Sequence, residues 1–284
     1  MGCPVVKLLA WDTSSKSGCL VALEWPENSR ADLKEGGYRL VSEWALNVDC
    51  THSERLMWGI HQLLEASRWK LEDVDLFGVG VGPGSFTGLR IGVTTARTLA
   101  STMGKPLIGV SSLAALARPA AVWLAEQKKR AVVIASGDAC KGELFALWGN
   151  AKSILDCTVL SDGDFAGLWK RGVEEQVLSP EDLMKAIKKK LSEGSEKAAW
   201  LSVGEGRSRY PEVWKTLPKS QEIRTPAPFS DQVQGRYLGL LIWETWQAGL
   251  ARKPLEVHPR YLRASDAEVK LKAGLLPKGP TRGD

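Results

Sequence analysis

The chain has 284 residues and a net charge of +5, with 44% hydrophobic and 25% charged residues, which is the composition of a globular protein of one large or two small domains. No apolar run approaches the ~20 residues that a membrane-spanning helix needs, and the N-terminus lacks the pattern of a signal peptide, so we expect neither a membrane protein nor a secreted one. Five scattered cysteines without a C-x-x-C pair, and three histidines without metal-ligand spacing, predict a reduced, cytoplasmic protein with no metal site of its own.

The first half of the chain predicts a hairpin followed by alternating helices and strands. Strands over 7–11 and 19–25 flank a polar turn that begins at Asp12, and a third strand covers 38–46. Apolar residues at helical spacing predict a helix over 53–67, which begins at a capping box formed by Thr51 and Glu54. Four further elements follow in order: a strand over 75–81, a helix over 89–103, a strand over 106–110 and a helix over 112–126.

The second half opens with strands over 130–135 and 143–148, joined by a tight turn that contains Asp138. The segments around Asp12 and Asp138 have the same order of features: a strand, an acidic residue, a tight turn with a glycine, and a second strand. This similarity indicates two related βα lobes. Later elements are a helix from about 180 to 191, a strand over 198–203 and a helix over 230–248. We predict a first lobe over 1–104, completed by the helix over 230–248, and a second lobe over 105–228.

The segment 250–284 forms a basic C-terminal tail. From residue 252 onwards it has eight basic residues against four acidic ones, so it carries most of the net charge. One interpretation is an arm that contacts RNA phosphates or an acidic partner. The other is an ordinary solvated tail.

A glycine-rich segment, Gly82-Pro-Gly-Ser-Phe-Thr-Gly88, connects a predicted strand to a predicted helix. Its glycines permit close approach to the backbone, and amides at a helix N-terminus suit a phosphate. The spacing matches neither a P-loop, nor a dinucleotide fingerprint, nor a nucleophile elbow. The candidate nucleotide-binding residues are Asp12, Gly82, Gly84, Ser85, Gly88 and Asp138. For the two aspartates, the alternative is a carboxylate that caps its own turn.

Small residues recur every four positions along the next predicted helix, at Gly88, Gly92, Ala96 and Ala100. Such a ridge allows the backbone of another helix to approach closely. The alternative is tight packing against the protein's own sheet. The sequence leaves the two open because periodicity does not show which way the ridge faces.

Several segments together resemble the TsaB (YeaZ) family. They are 8–14, 52–54, 80–93, 106–112, 142–143 and 261–263, and the most specific is Gly80-Val-Gly-Pro-Gly-Ser-Phe-Thr-Gly-Leu-Arg-Ile-Gly-Val93. The resemblance implies an α/β fold of the actin-like, hexokinase-type (ASKHA) class with two related lobes. It also implies a role in forming N6-threonylcarbamoyladenosine at position 37 of tRNAs that read codons starting with A.

In that family, the resemblance assigns catalysis to a TsaD-type partner, which carries a metal-binding H-x-x-x-H. The matching positions here are Ser112 and Leu116, so the resemblance implies a non-catalytic subunit with no catalytic residue. Two further departures weaken nucleotide binding: Ser14 stands where related ATPases have glycine, and Cys140 stands where a basic residue is usual. We expect that the chain requires no cofactor. Whether ATP or ADP binds at the interface with the partner is left open by the sequence.

The resemblance further implies that the helices over 53–67 and 89–103 form a dimer surface, used by a second copy or by the TsaD-type partner. Apolar side chains should form its centre and arginines, including Arg97, its rim. The candidate interface residues are Met57, Ile60, Leu64, Arg90, Gly92, Ala96 and Ala100. A TsaE-type ATPase and a tRNA contact through the basic tail are the other expected partners.

Two functions from the enzyme class remain as alternatives. An ASKHA-type phosphotransferase or ATPase acting on a small molecule would need Asp12 or Asp138 to bind a Mg²⁺-nucleotide. A metallopeptidase would need a set of metal ligands, and the missing ligand spacing argues against it.

Overall fold

Two β-sheets with helices packed on them form the part of the chain that the computed structural model describes, residues 5–26, 37–47, 52–156, 172–193, 198–223 and 231–263. The first sheet has the strand order β3-β2-β1-β4-β5. Its antiparallel strands are β1 (Val5–Asp12), β2 (Ser17–Pro26) and β3 (Arg39–Asn47). Two parallel strands extend it beyond β1, namely β4 (Leu76–Gly80) and β5 (Leu107–Val110).

Both faces of the first sheet are covered by helices. Leu9 and Trp11 of β1 point towards α1 (His52–Ser67) and α2 (Phe86–Met103), whereas Leu8 and Ala10 point into the core beneath α8 (Gly235–Gln247). A strand buried on both faces has an unbroken apolar sequence rather than an alternating one. This explains the continuous apolar run at the end of β1.

The second sheet has the order β8-β7-β6-β9 and repeats the hairpin of the first. Its strands are β6 (Ala131–Asp138), β7 (Leu144–Asn150), β8 (Glu174–Leu178) and β9 (Ala199–Val203). Helix α3 (Ser112–Glu126) lies between the lobes, since it packs on both α8 and β6. The other helices of this lobe are α4 (Ala151–Asp156), α5 (Pro180–Ser192), α6 (Gly206–Arg209) and α7 (Pro211–Trp214).

The predicted boundary between the lobes at 104/105 is wrong. Strand β5 pairs in parallel with β4, so the first lobe continues to Val110. The helix expected over 230–248 begins at Gly235 and packs on the first sheet. Strand β8 and helix α4 were not predicted. The proposed Thr51–Glu54 capping box and the tail beyond residue 263 lie outside the described residues.

Two buried ion pairs join the lobes. Arg118 of α3 pairs with Glu244 of α8. Glu175 of β8 is fully buried; its carboxylate accepts a hydrogen bond from the Ser111 hydroxyl (2.5 Å) and pairs with Arg260. Arg260 in turn donates its backbone N–H to Val81 in the first lobe, at 2.7 Å. A buried charge is tolerated when it is paired and hydrogen-bonded, so these contacts fix one lobe against the other.

The small-residue ridge of α2 faces its own sheet. The Trp11 indole N–H donates to the Gly92 carbonyl (3.0 Å), and the Thr13 hydroxyl donates to the Gly88 carbonyl (2.7 Å). A Cβ at Gly92 would overlap the Thr13 hydroxyl oxygen, so only glycine allows this approach. Of the two arrangements that the sequence leaves open, the structure shows packing within the lobe.

No helix in the described ranges is long and apolar enough to cross a membrane.

We predict that Gly92→Ala lowers the free energy of unfolding by about 1–3 kcal/mol, because the added methyl group forces Thr13 away from the helix. Gly137→Ala is the matched control, since a Cβ there meets nothing within 4 Å. Urea denaturation of both variants measures the difference. Equal stability of the two variants would contradict the packing described for α2.

Candidate functional site

The carboxylate of Asp12, at the end of β1, is fully buried and accepts three hydrogen bonds. Oδ1 accepts from the Ser14 backbone N–H (2.9 Å) and the Ser14 hydroxyl (2.6 Å). Oδ2 accepts from the Ser112 hydroxyl at 2.5 Å, although Ser112 is 100 residues away in the sequence. These contacts match the alternative in which Asp12 caps its own turn and ties it to α3.

The glycine-rich segment is held by hydrogen bonds within the chain. The Gly82 N–H donates to the Ser112 hydroxyl (3.1 Å), and the Ser85 N–H donates to the Ser14 carbonyl (2.6 Å). Ser85 caps α2, since its hydroxyl accepts from the Gly88 N–H at 3.2 Å. At Gly84, a Cβ would lie 2.6 Å from the Ser14 Cβ, so this glycine allows close contact with the β1–β2 turn. These three amides of the segment therefore have partners in the protein.

Asp138 occupies the corresponding turn of the second lobe. Its Oδ1 accepts from the Cys140 N–H at 2.8 Å, and its Oδ2 lies 3.5 Å from Arg209 Nε. Cys140 and Lys141 both have positive φ, which closes the turn tightly. Each aspartate thus accepts a hydrogen bond from the backbone N–H two residues further along the chain. The two turns share this geometry as well as their order of residues in the sequence. They stand in opposite lobes rather than in one ligand cluster.

A cleft of about 940 Å³ opens between the lobes. Its walls are the β1–β2 turn, the first turn of α2, the β6–β7 turn, helix α6 and the segment 261–263. A smaller cavity of about 40 Å³ adjoins it at Ser14, Gly84 and Asp138, and Ser112 and Leu116 also line this cavity. Among the described residues, no three His, Cys, Asp or Glu side chains are placed to share a metal ion.

The predicted dimer surface needs correction. Gly92, Ala96 and Ala100 are buried against the first sheet, and Ile60 and Leu64 belong to the same core. Because these side chains already pack inside the lobe, they offer no surface to a partner. Of the seven candidate interface residues, Met57 and Arg90 are exposed.

Sequence reasoning missed the largest exposed apolar side chain of this face. Trp58 is 58% exposed beside Met57, which is 47% exposed. The Trp58 ring lies 6.2 Å from that of Trp44 on the edge strand β3. A signal was present, since Trp58 falls on the polar side of a helix whose apolar stripe contains Leu56 and Ile60. We call the exposed surface around Met57 and Trp58 the α1–α2 face; Arg90, the other exposed candidate, lines the inter-lobe cleft.

We predict that Ser112→Ala destabilises the fold by about 1–3 kcal/mol, because the Asp12 carboxylate loses a donor and the Gly82 N–H loses its acceptor. Ser208→Ala is the control, since its hydroxyl is exposed. Thermal unfolding of both variants, compared with the unchanged protein, measures the effect. If the Ser112→Ala protein is as stable as the control, these hydrogen bonds of Ser112 do not stabilise the fold.

We also predict different reactivities for two cysteines. Burial raises the pKa of the Cys19 thiol well above its usual value, and the Asp12 carboxylate raises it further, whereas Cys140 is exposed at the β6–β7 turn. Because the thiolate is the reactive form, iodoacetamide at about pH 8 should modify Cys140 and leave Cys19 intact until the protein unfolds. Peptide mass mapping with and without denaturant checks this. Equal labelling of both in the folded protein would contradict it.

Comparison with known proteins identifies related families. The family model for "TsaD: tRNA N6-adenosine threonylcarbamoyltransferase" matches residues 47–197, more than half of the chain. The TsaB protein of Escherichia coli is 32% identical over 62% of this chain and 68% of its own length. The corresponding values for the Haemophilus influenzae TsaB protein are 34%, 63% and 67%.

Two solved structures from Pseudomonas aeruginosa have the same fold. One, described as similar to peptidase YEAZ, is 25% identical, with a TM-score of 0.64 over 91% of this chain and 100% of that one. The other, named YeaZ, is 24% identical, with a TM-score of 0.61 over 90% and 100%. The expected α/β fold with two related lobes is confirmed. The chain belongs to the TsaB (YeaZ) family.

Proposed function

We propose that this chain is a non-catalytic cytoplasmic subunit that binds and activates a TsaD-type transferase. The reaction is formation of N6-threonylcarbamoyladenosine at position 37 of tRNAs that read codons starting with A. The names of the relatives support the pathway, since they are tRNA threonylcarbamoyladenosine biosynthesis proteins. The surroundings of Ser112 support the non-catalytic role.

Ser112 is the observation that carries the proposal. The family resemblance gives the TsaD-type partner two imidazoles at i and i+4 of one helix, a spacing at which both can bind one metal ion. The first of these positions is Ser112, whose hydroxyl bridges Asp12 Oδ2 and the Gly82 N–H. The second is Leu116, a buried aliphatic side chain. The chain therefore uses for internal support the positions at which a catalytic partner would hold its metal.

The α1–α2 face is the proposed docking surface. Neighbouring exposed tryptophan and methionine side chains are typical of the centre of a protein–protein interface. Activation follows if the chain binds the competent conformation of its partner more tightly than the incompetent one. The same face would serve a second copy of this chain when the partner is absent. A TsaE-type ATPase would complete the assembly.

The phosphotransferase alternative is less well supported. It requires Asp12 or Asp138 to hold a Mg²⁺-nucleotide, but Asp12 already accepts three hydrogen bonds and Asp138 caps its turn and contacts Arg209. We propose that the chain needs no cofactor of its own. Any ATP or ADP would be held together with the partner.

We predict that threonylcarbamoyl transfer to tRNA by a purified TsaD-type partner and its TsaE-type ATPase requires this chain. The double substitution Met57→Glu/Trp58→Glu should reduce the stimulation at least about tenfold, because tryptophan is enriched among the few interface residues whose loss costs about 2 kcal/mol or more. Val5→Glu is the control, since it places one of these two charges at an exposed apolar position at the start of β1.

Melting temperatures confirm that both variants fold, and gel filtration with the partner reports docking separately from activity. Transfer that proceeds equally without this chain would overturn the proposed function. Stimulation that survives the α1 substitutions but disappears with Val5→Glu would move the docking surface elsewhere.

A further inference from the structure

The inter-lobe cleft is lined by an excess of positive charge. Five basic side chains come from five separate segments of the two lobes and the C-terminal region: Lys16, Arg90, Lys141, Arg209 and Arg263. The acidic side chains of the described lining are Asp138 and Glu205. Of the basic residues, all but Arg263 are exposed. A cleft walled by one sign of charge concentrates counter-charged ligands.

An aromatic platform stands at the same opening. The rings of Phe86 and Tyr261 are stacked, with centroids 4.6 Å apart and planes inclined by 29°. The Arg90 guanidinium lies 5.5 Å from the centroid of the Phe86 ring. Tyr261 is 43% exposed, so it presents aromatic surface to the cleft that it lines. Exposed aromatic rings beside basic residues are the surface on which unpaired bases stack.

The charge distribution favours a strand with several phosphates over a single nucleotide. The amides of Gly82, Ser85 and Gly88 are hydrogen-bonded within the chain, so the glycine-rich segment does not offer them to a triphosphate. The basic side chains are instead spread over five segments. Successive phosphates of a nucleic-acid backbone fit such a spread.

We propose that this cleft binds a single-stranded stretch of RNA, with one base stacked on Tyr261 and neighbouring phosphates contacted by Lys16, Arg90 and Lys141. The identity of the RNA as the tRNA substrate rests on the proposed function. The segment 261–263 supplies Tyr261 and Arg263 to the cleft, and Arg263 is anchored there through Ala139 and Glu143. This RNA-binding surface lies within the described part of the chain and includes residues 261–263 of the predicted basic tail.

The test is fluorescence anisotropy with a labelled, unmodified tRNA transcript that reads codons starting with A, titrated with the full chain at several salt concentrations. We expect Lys16→Glu/Lys141→Glu to weaken binding about tenfold. The slope of log affinity against log salt should become shallower by about 0.7 for each phosphate that the variant no longer neutralises. Tyr261→Ala should weaken binding at least about fivefold and leave the salt dependence unchanged, because stacking is uncharged.

The control for charge is Lys188→Glu/Lys189→Glu on α5, which makes the same charge change outside the cleft lining. It should bind the transcript as the unchanged protein does. If both double variants bind the transcript equally weakly, net charge alone explains the loss and the proposal is overturned. It is also overturned if the cleft variants bind as tightly as the unchanged protein. Millimolar ADP that displaces the transcript through the same residues would replace RNA with a nucleotide as the ligand.

Gel filtration of every variant with the TsaD-type partner separates this inference from the proposed function. If the partner binds and is stimulated while the cleft variants hold RNA normally, only the cleft proposal fails. If the unchanged protein neither binds nor stimulates the partner, the proposed function fails whatever the RNA result.

Discussion

The architecture of the first lobe depends on the close approach of the β1 end to helix α2. Two side chains, Trp11 and Thr13, donate hydrogen bonds to the carbonyls of Gly92 and Gly88, and the missing side chain of Gly92 makes this approach possible. This contact fixes the distance of α2 from the sheet. It thereby positions the glycine-rich segment against Ser14 and leaves the opposite side of α2 facing outwards. The cleft wall and the α1–α2 face are both consequences of it.

The residue types of a phosphate-binding loop serve here to pack backbone against backbone. Gly84 makes room for Ser14, and the Ser14 hydroxyl turns towards Asp12. The carboxylate that could have held a metal ion instead accepts donors from Ser14 and Ser112. The glycine-rich segment therefore connects the first hairpin, α2 and α3 through hydrogen bonds and close packing. Glycine spacing alone does not distinguish this use from ligand binding.

Most elements could be predicted because periodicity and capping are local properties of the sequence; the helix that begins at Ser179-Pro180 is an example. The orientation of helix α2 could not be predicted, because the four-residue spacing of Gly92, Ala96 and Ala100 defines one face of the helix but not the element that packs on it. Strand β8 escaped prediction because Glu174, Glu175 and Gln176 give it no apolar alternation. The lobe boundary was misplaced because the sheet to which β5 belongs is decided by pairing across the chain.

The Glu175 contacts have a consequence for how the cleft behaves. This carboxylate belongs to the second sheet, yet its partners are Ser111 at the start of α3 and Arg260, which is bound to the first lobe. Separating the lobes would break both the ion pair with Arg260 and the hydrogen bond from Ser111. These contacts therefore oppose wider opening of the cleft, which favours ligands that fit its present width.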